Sequence, residues 1–137
     1  MKLNCLAIIG LGSIGRRHLR LVSEIRPDIK IIVVRSGHGG KCDEEKMATK
    51  IVHSIFDAIN EGVQMAIVSS PATLHLDQSL ELAKHGVHLL IEKPISHTSD
   101  GVGELLKILD EKNLTATVGY VLRHDPGAIK FKKWLNN

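Results

Sequence analysis

Glu92-Lys93-Pro94 directly follows the apolar, strand-like run His88-Leu89-Leu90-Ile91. A carboxylate and an ammonium together at the end of a buried strand can pass a proton to or from an oxygen, or hold charge as it develops there. Far upstream, Gly10-Leu11-Gly12-Ser13-Ile14-Gly15 follows the apolar stretch Cys5-Leu6-Ala7-Ile8-Ile9 and opens a segment with helical patterning. In that setting the first glycine permits a tight turn, the second lets backbone approach a pyrophosphate, and the third lets the helix pack on the strand. Unpaired amides at the helix start then favour phosphate. A glycine-rich turn can also serve packing alone. Its place at the first strand, with a lysine waiting beyond a later one, points to redox chemistry on a dinucleotide.

These residues need a scaffold that alternates strands with helices, and the chain is patterned that way. Mostly continuous apolar runs predict strands at 3–9, 30–34, 51–52, 65–69, 88–91 and 115–118. Helical spacing predicts helices at 14–24, 56–60, 73–84, 100–112 and 127–135. Leu76, Leu80 and Ala83 give the third helix an inward face, and His85-Gly86 gives it a stop. Ser99 or Asp100 is the expected cap of the next, with Leu105, Leu106, Ile108 and Leu109 on the sheet. The implied fold class is α/β, a Rossmann-type doubly wound parallel sheet with helices on both faces and right-handed crossovers. Ligands bind such a sheet beyond the carboxyl ends of its strands.

The second strand ends in Val34-Arg35-Ser36-Gly37-His38, with no acid before Asp43. An acid there reads a ribose 2′-hydroxyl, whereas an arginine can hold a 2′-phosphate. The bidentate fork of Arg35 and the hydroxyl of Ser36 therefore favour NADP over NAD, with NAD still possible. A solvated arginine in a loop that tolerates either cofactor would look the same. Arg16 and Arg17 add positive field or point to water, and His18 is expected to pack at the first helix rather than to take part in chemistry.

Composition narrows the alternatives. With 137 residues, 43% hydrophobic and 24% charged, the chain has the size and balance of one globular domain. The absence of a run of about 18 apolar residues and of a signal-peptide pattern makes the cytoplasm the expected compartment, with no membrane partner. Aromatic residues make up only 3% and the basic residues are scattered under a net charge of +3, which disfavours nucleic acid. Cys5 and Cys42 form no CxxC, and no His/Cys cluster suggests a metal, so two reduced thiols are expected.

The fourth strand leads into Ser69-Ser70-Pro71-Ala72-Thr73-Leu74-His75. Four pieces in this order, Gly10 to His18, Pro71 to His75, Glu92 to Ile95 and Gly119 to Pro126, resemble the N-terminal half of the glucose-fructose oxidoreductase, inositol dehydrogenase and MocA family. The resemblance spans nearly the whole chain. It implies that Gly10, Gly12, Ser13, Ile14 and Gly15 form the dinucleotide turn, that Ser69, Pro71 and Thr73 line the adenosine and pyrophosphate side, and that His75 approaches the cofactor ribose. It also implies that Glu92 and Lys93 sit beside the nicotinamide, with Lys93 as the catalytic residue, and that Arg123 contacts cofactor or substrate. Leu122 and His124 depart from the polar and aromatic residues common in the family, which puts the polar network around Arg123 in doubt.

Family enzymes continue into a second α/β domain that supplies substrate contacts, further catalytic groups and often a homo-oligomer interface. Residues 1–137 are accordingly expected to be the NAD(P)-binding domain, able to bind cofactor without turnover because hydride transfer needs substrate held in register. The expected substrate of the intact protein is a small sugar-like molecule carrying a secondary alcohol or ketone. Competing readings are a non-catalytic NAD(P)-sensing module, which needs no Lys93, and a methyltransferase, which Arg35 and Glu92-Lys93-Pro94 speak against.

Overall fold

The computed structural model describes residues 2–136. Six parallel strands form one sheet: β1 (Cys5–Ile9), β2 (Lys30–Val34), β3 (Lys50–Val52), β4 (Met65–Val68), β5 (His88–Ile91) and β6 (Ala116–Val118). Their order is β3-β2-β1-β4-β5-β6. The chain winds outward from β1 to β3, then returns to lay β4 on the other side of β1, so the direction of winding switches between β1 and β4. The helices are α1 (Ser13–Ile25), α2 (Ile55–Asn60), α3 (His75–Lys84), α4 (Val102–Glu111) and α5 (Pro126–Leu135).

Strand alternation divides the core into two layers. Cys5, Ala7 and Ile9 face a cluster built with Ile55 and Ala58 of α2, Leu76, Leu82 and Ala83 of α3, and Leu105 and Leu109 of α4. Leu6 and Ile8 point the other way, toward Leu19 of α1. Burial of Leu19, which is fully inaccessible, is worth about 1.5–3 kcal/mol and fixes how α1 lies on the sheet. Registry then sets the site: Ile9, Val34, Val68, Ile91 and Val118 lie side by side, so residues 10, 35, 69, 92 and 119 leave the sheet at one level.

The doubly wound sheet is as expected, while several details differ. The 3–9 strand begins at Cys5, and the 73–84 helix is divided into a 3-10 turn, Ala72–Leu74, followed by α3. On α3 it is Leu82, fully buried, that completes the inward face, with Leu80 only half-buried. Neither Ser99 nor Asp100 caps α4 through its side chain: the cap is Gly101, at φ +82°. Leu106 turns outward at 60% exposure, one position off the stripe defined by Leu105 and Leu109. Two further 3-10 segments, Asp43–Met47 and Val121–His124, occupy stretches with no expected element. On α5, capped by the Asp125 carboxylate accepting from the Ala128 N–H at 2.8 Å, no residue is buried, and Phe131, Trp134 and Leu135 remain 58–72% exposed. Cys5 and Cys42 are both free thiols, burial pushing that of Cys5 above its ordinary pKa.

Candidate functional site

Gly10 leaves β1 with φ +87°, a left-handed conformation, and its α-carbon lies against β4: an added Cβ would stand 2.8 Å from the Cα of Ser70. Its N–H donates to the Val34 carbonyl at 2.9 Å. The hydroxyl of Ser69 lies 3.0 Å from the Gly10 carbonyl and 3.1 Å from that of Ile9, binding the turn to the end of β4. A Cβ on Gly15 would collide with the Gly10 carbonyl and come within 2.9 Å of the Ser69 hydroxyl. The turn is therefore closed from below by β4 and by the first turn of α1.

Its other side is open. Nothing lies within 4 Å of where a Cβ on Gly12 would stand, and Gly12 begins α1 with no side-chain cap. Among the described residues the first amides of α1 thus have no protein partner at their positive end of the helix dipole, which suits an anion. The cavity they face has a volume of about 690 Å³ and is lined by Gly10, Gly12, Ser13, Ile14, Arg35, Ser36, Ser69 and Pro71. A glycine cradle, free amides and this volume fit a dinucleotide. His53, Ser54, Gln78 and Glu81 also line it and carried no motif. The Gln78 amide oxygen accepts from the Ser70 hydroxyl at 2.5 Å, and His53 Nδ1 lies 3.1 Å from the Arg35 carbonyl.

Arg35 is not the free arginine its sequence neighbourhood suggests. Its Nη1 is ion-paired with the Glu45 carboxylate, and its Nη2 donates to the Gly40 carbonyl at 2.7 Å. Glu45 lies beyond the stretch in which an acid reader is normally sought, and only the 3-10 segment Asp43–Met47 brings it back to the strand end. Ser36 is exposed, its hydroxyl accepting from the His38 N–H at 3.4 Å.

A second cavity, about 650 Å³, is lined by Glu92, Arg123, His18, Gly119, Tyr120 and His124 together with Leu105, Leu109 and other apolar residues of α4 and β6. Glu92, only 8% exposed, does not pair with the Lys93 ammonium. One carboxylate oxygen takes the Nε2–H of His18 at 2.8 Å and the other takes the backbone N–H of Lys93 at 3.3 Å, which assigns a proton to His18 Nε2. Gly119 admits the carboxylate, since a Cβ there would stand 3.2–3.3 Å from three of its atoms. With Glu92 turned inward, Lys93 is left exposed at the strand end. His18 is thus the residue whose role the sequence understated: five positions after Ser13, it reaches from α1 to the end of β5.

Thr73 is exposed on its 3-10 turn and lines neither cavity. His75 is 2% exposed, with Nδ1 2.8 Å from the Pro94 carbonyl and Nε2 2.7 Å from that of Ser70. Neither ring nitrogen is available to a ribose, contrary to the expected approach. What His75 does is join the loop after β4 to the loop that carries Lys93.

Comparison with known proteins agrees with this geometry. Residues 5–120 match the family model described as oxidoreductase family, NAD-binding Rossmann fold. The 2,7-anhydro-N-acetylneuraminate hydratase of Mediterraneibacter gnavus is 27% identical over 133 residues, covering 96% of this chain and 35% of the relative. The NADP(+) scyllo-inositol 2-dehydrogenase of Bacillus subtilis is 22% identical over 130 residues, covering 94% and 36%. The scyllo-inositol dehydrogenase of Lactobacillus casei, whose structure holds NAD(H) and scyllo-inositol, shares the fold with a TM-score of 0.82 at 19% identity, over 98% of this chain and 41% of that one. The chain therefore spans little more than a third of these curated relatives' length. With its fingerprint turn, its switch point and its Glu-Lys-Pro strand end all inside the matched region, the chain belongs to the glucose-fructose oxidoreductase, inositol dehydrogenase and MocA family, as its NAD-binding Rossmann domain.

Proposed function

We propose that this chain is the cofactor-binding half of an NAD(P)-dependent oxidoreductase acting on a secondary alcohol or ketone of a sugar, cyclitol or nucleotide-linked sugar. The observation that carries the reading is the shared exit level of β1, β4 and β5, which puts the open glycine turn and the Glu92-Lys93 pair on one edge of the sheet. The nicotinamide, when bound, supplies or accepts hydride. Gly10, Gly12, Ser13, Ile14 and Gly15 would hold the pyrophosphate through backbone amides, with Ser69 and Pro71 beside it. Arg35 and Ser36 would meet a 2′-phosphate, making NADP the favoured cofactor.

Glu92 stays in its pocket with His18 and sets the direction in which Lys93 leaves the strand. Lys93 would pass a proton to or from the substrate oxygen and stabilise charge on it, while Arg123 would contact cofactor or substrate. Relatives named for inositol and for a sialic acid derivative support a polyhydroxylated substrate. The remaining substrate contacts would come from a second domain of the kind the longer relatives have room for, and without it this chain binds cofactor but does not turn over.

Titration of the chain with NADPH and NADH, alongside Arg35→Ala and Lys93→Met, tests this. The expected result is binding of both, a preference for NADPH that Arg35→Ala removes, and no loss of affinity in Lys93→Met. In a two-domain relative the same lysine substitution should abolish turnover. Retained turnover would instead favour a role for Lys93 in folding alone, and absence of cofactor binding would overturn the reading of the cavity.

A further inference from the structure

We propose that Glu45 is a cofactor-specificity residue that limits the preference for NADP by competing with a 2′-phosphate for Arg35; the proposal rests on reading the 690 Å³ cavity as the dinucleotide site. The Arg35–Glu45 pair is not a loose surface contact. Their side chains are only 13% and 16% exposed. Glu45 also receives the Cys42 N–H at 3.3 Å, which fixes its carboxylate at the start of the 3-10 segment. The neighbouring Glu44 anchors that segment to Arg20 of α1 at 2.5 Å. On the other edge of the guanidinium, Nη2 donates to Gly40, and an added Cβ on Gly39 would stand 2.8 Å from it, so the backbone at 39–40 lies close against the arginine.

The consequence is selective. A 2′-phosphate needs the guanidinium's N–H groups and its charge, and here one N–H is committed to a carboxylate whose negative charge also repels the phosphate. A ribose 2′-hydroxyl carries no charge and meets no such repulsion. Arg35 therefore draws the phosphate in and Glu45 opposes it, leaving a smaller preference than an unpaired arginine would give.

The test is titration of the chain with NADPH and NADH in the native form, Glu45→Gln, Arg35→Ala and the double variant, with Glu104→Gln of α4 as a control for net charge. Glu45→Gln keeps the side-chain length and should tighten NADPH by about tenfold, a factor within reach of one partly buried charge, while NADH changes by less than about twofold. The gain should vanish when Arg35→Ala is added. A Glu45→Gln variant with an unchanged NADPH-to-NADH ratio, in a protein whose preference still falls with Arg35→Ala, would overturn this proposal and leave the cavity reading intact. Equal tightening of both cofactors, or an equal effect of Glu104→Gln, would overturn it as a general charge effect. Failure of every form to bind either cofactor would overturn both.

Discussion

Replacing His18 by leucine tests the link between α1 and the end of β5 most directly. The Glu92 side chain is 11% exposed and that of His18 18%, so the 2.8 Å hydrogen bond between them is largely shielded from water. A hydrogen bond to a charged group contributes about 1.5–3 kcal/mol, and stranding the charge costs more than losing the bond. The Lys93 N–H, at 3.3 Å, compensates only weakly. His18→Leu should therefore destabilise the chain by about 2 kcal/mol, which for a domain of this size lowers the melting temperature by roughly 6–8 °C. Combining it with Glu92→Leu removes the stranded carboxylate, so the double variant should be more stable than His18→Leu alone. Urea denaturation of the native chain, both single variants and the double gives the coupling energy, expected at about 1–2 kcal/mol. Costs that simply add would refute the pairing, because they would mean that neither residue senses the other.

Gly10→Ala should cost about 2–3 kcal/mol, combining left-handed strain of about 1–2 kcal/mol with the clash against the Ser70 backbone, and should abolish cofactor binding; an alanine variant that melts and binds like the native chain would refute the account of the turn. Glu61 accepts from Lys30 at 2.6 Å and Lys50 at 2.5 Å, and these hydrogen bonds hold its pKa down to about 2 from 4.5. A depressed carboxylate contributes stability that is complete above its unfolded pKa and is lost as pH falls through the folded one. The urea midpoint should accordingly decline between about pH 4.5 and 2, and less steeply in Glu61→Gln. Trp134, the only tryptophan and 72% exposed, should emit like an indole in water and be fully quenched by acrylamide, with Trp134→Ser changing stability by less than about 0.5 kcal/mol.

What could be read from the sequence was whatever is written locally. The apolar runs of β1, β2, β4 and β5 are buried on both sides, so a parallel sheet and its winding followed from periodicity and spacing. The fingerprint turn was equally legible, because its glycine spacing is written within six residues, although the contact that demands Gly10 comes from Ser70 at the end of β4. Glu45 and His18 were not, since their importance comes from partners 10 and 74 residues away in the chain. Arg35 looked free because spacing along the chain cannot show that a 3-10 turn folds an acid back onto it. His75 was placed at the ribose by the family resemblance, which does not show two carbonyls converging on its ring. Leu106 was placed on the core side because an apolar residue next to Leu105 reads as part of the same stripe, whereas the helical rotation of about 100° per residue turns it outward.

The same helix that begins the dinucleotide turn also steadies the strand end that carries Lys93. Ser13 and Ile14 open α1 at the cavity, and His18 follows about 6–7.5 Å further along the axis at the helical rise. The turn itself does not depend on His18: Gly10 is held by the Val34 carbonyl and by the Ser69 hydroxyl. Glu92 has no comparable second anchor beyond the Lys93 amide. The glycine turn and the end of β5 are therefore anchored separately. The glycine turn is fixed by sheet contacts, which set where a dinucleotide can lie. Glu92 is held by His18 of α1, and His75 ties Pro94 back to the end of β4. Both contacts start from the β1–α1 unit and the switch point beside it, so one helix joins the glycine turn to the strand end that precedes Lys93.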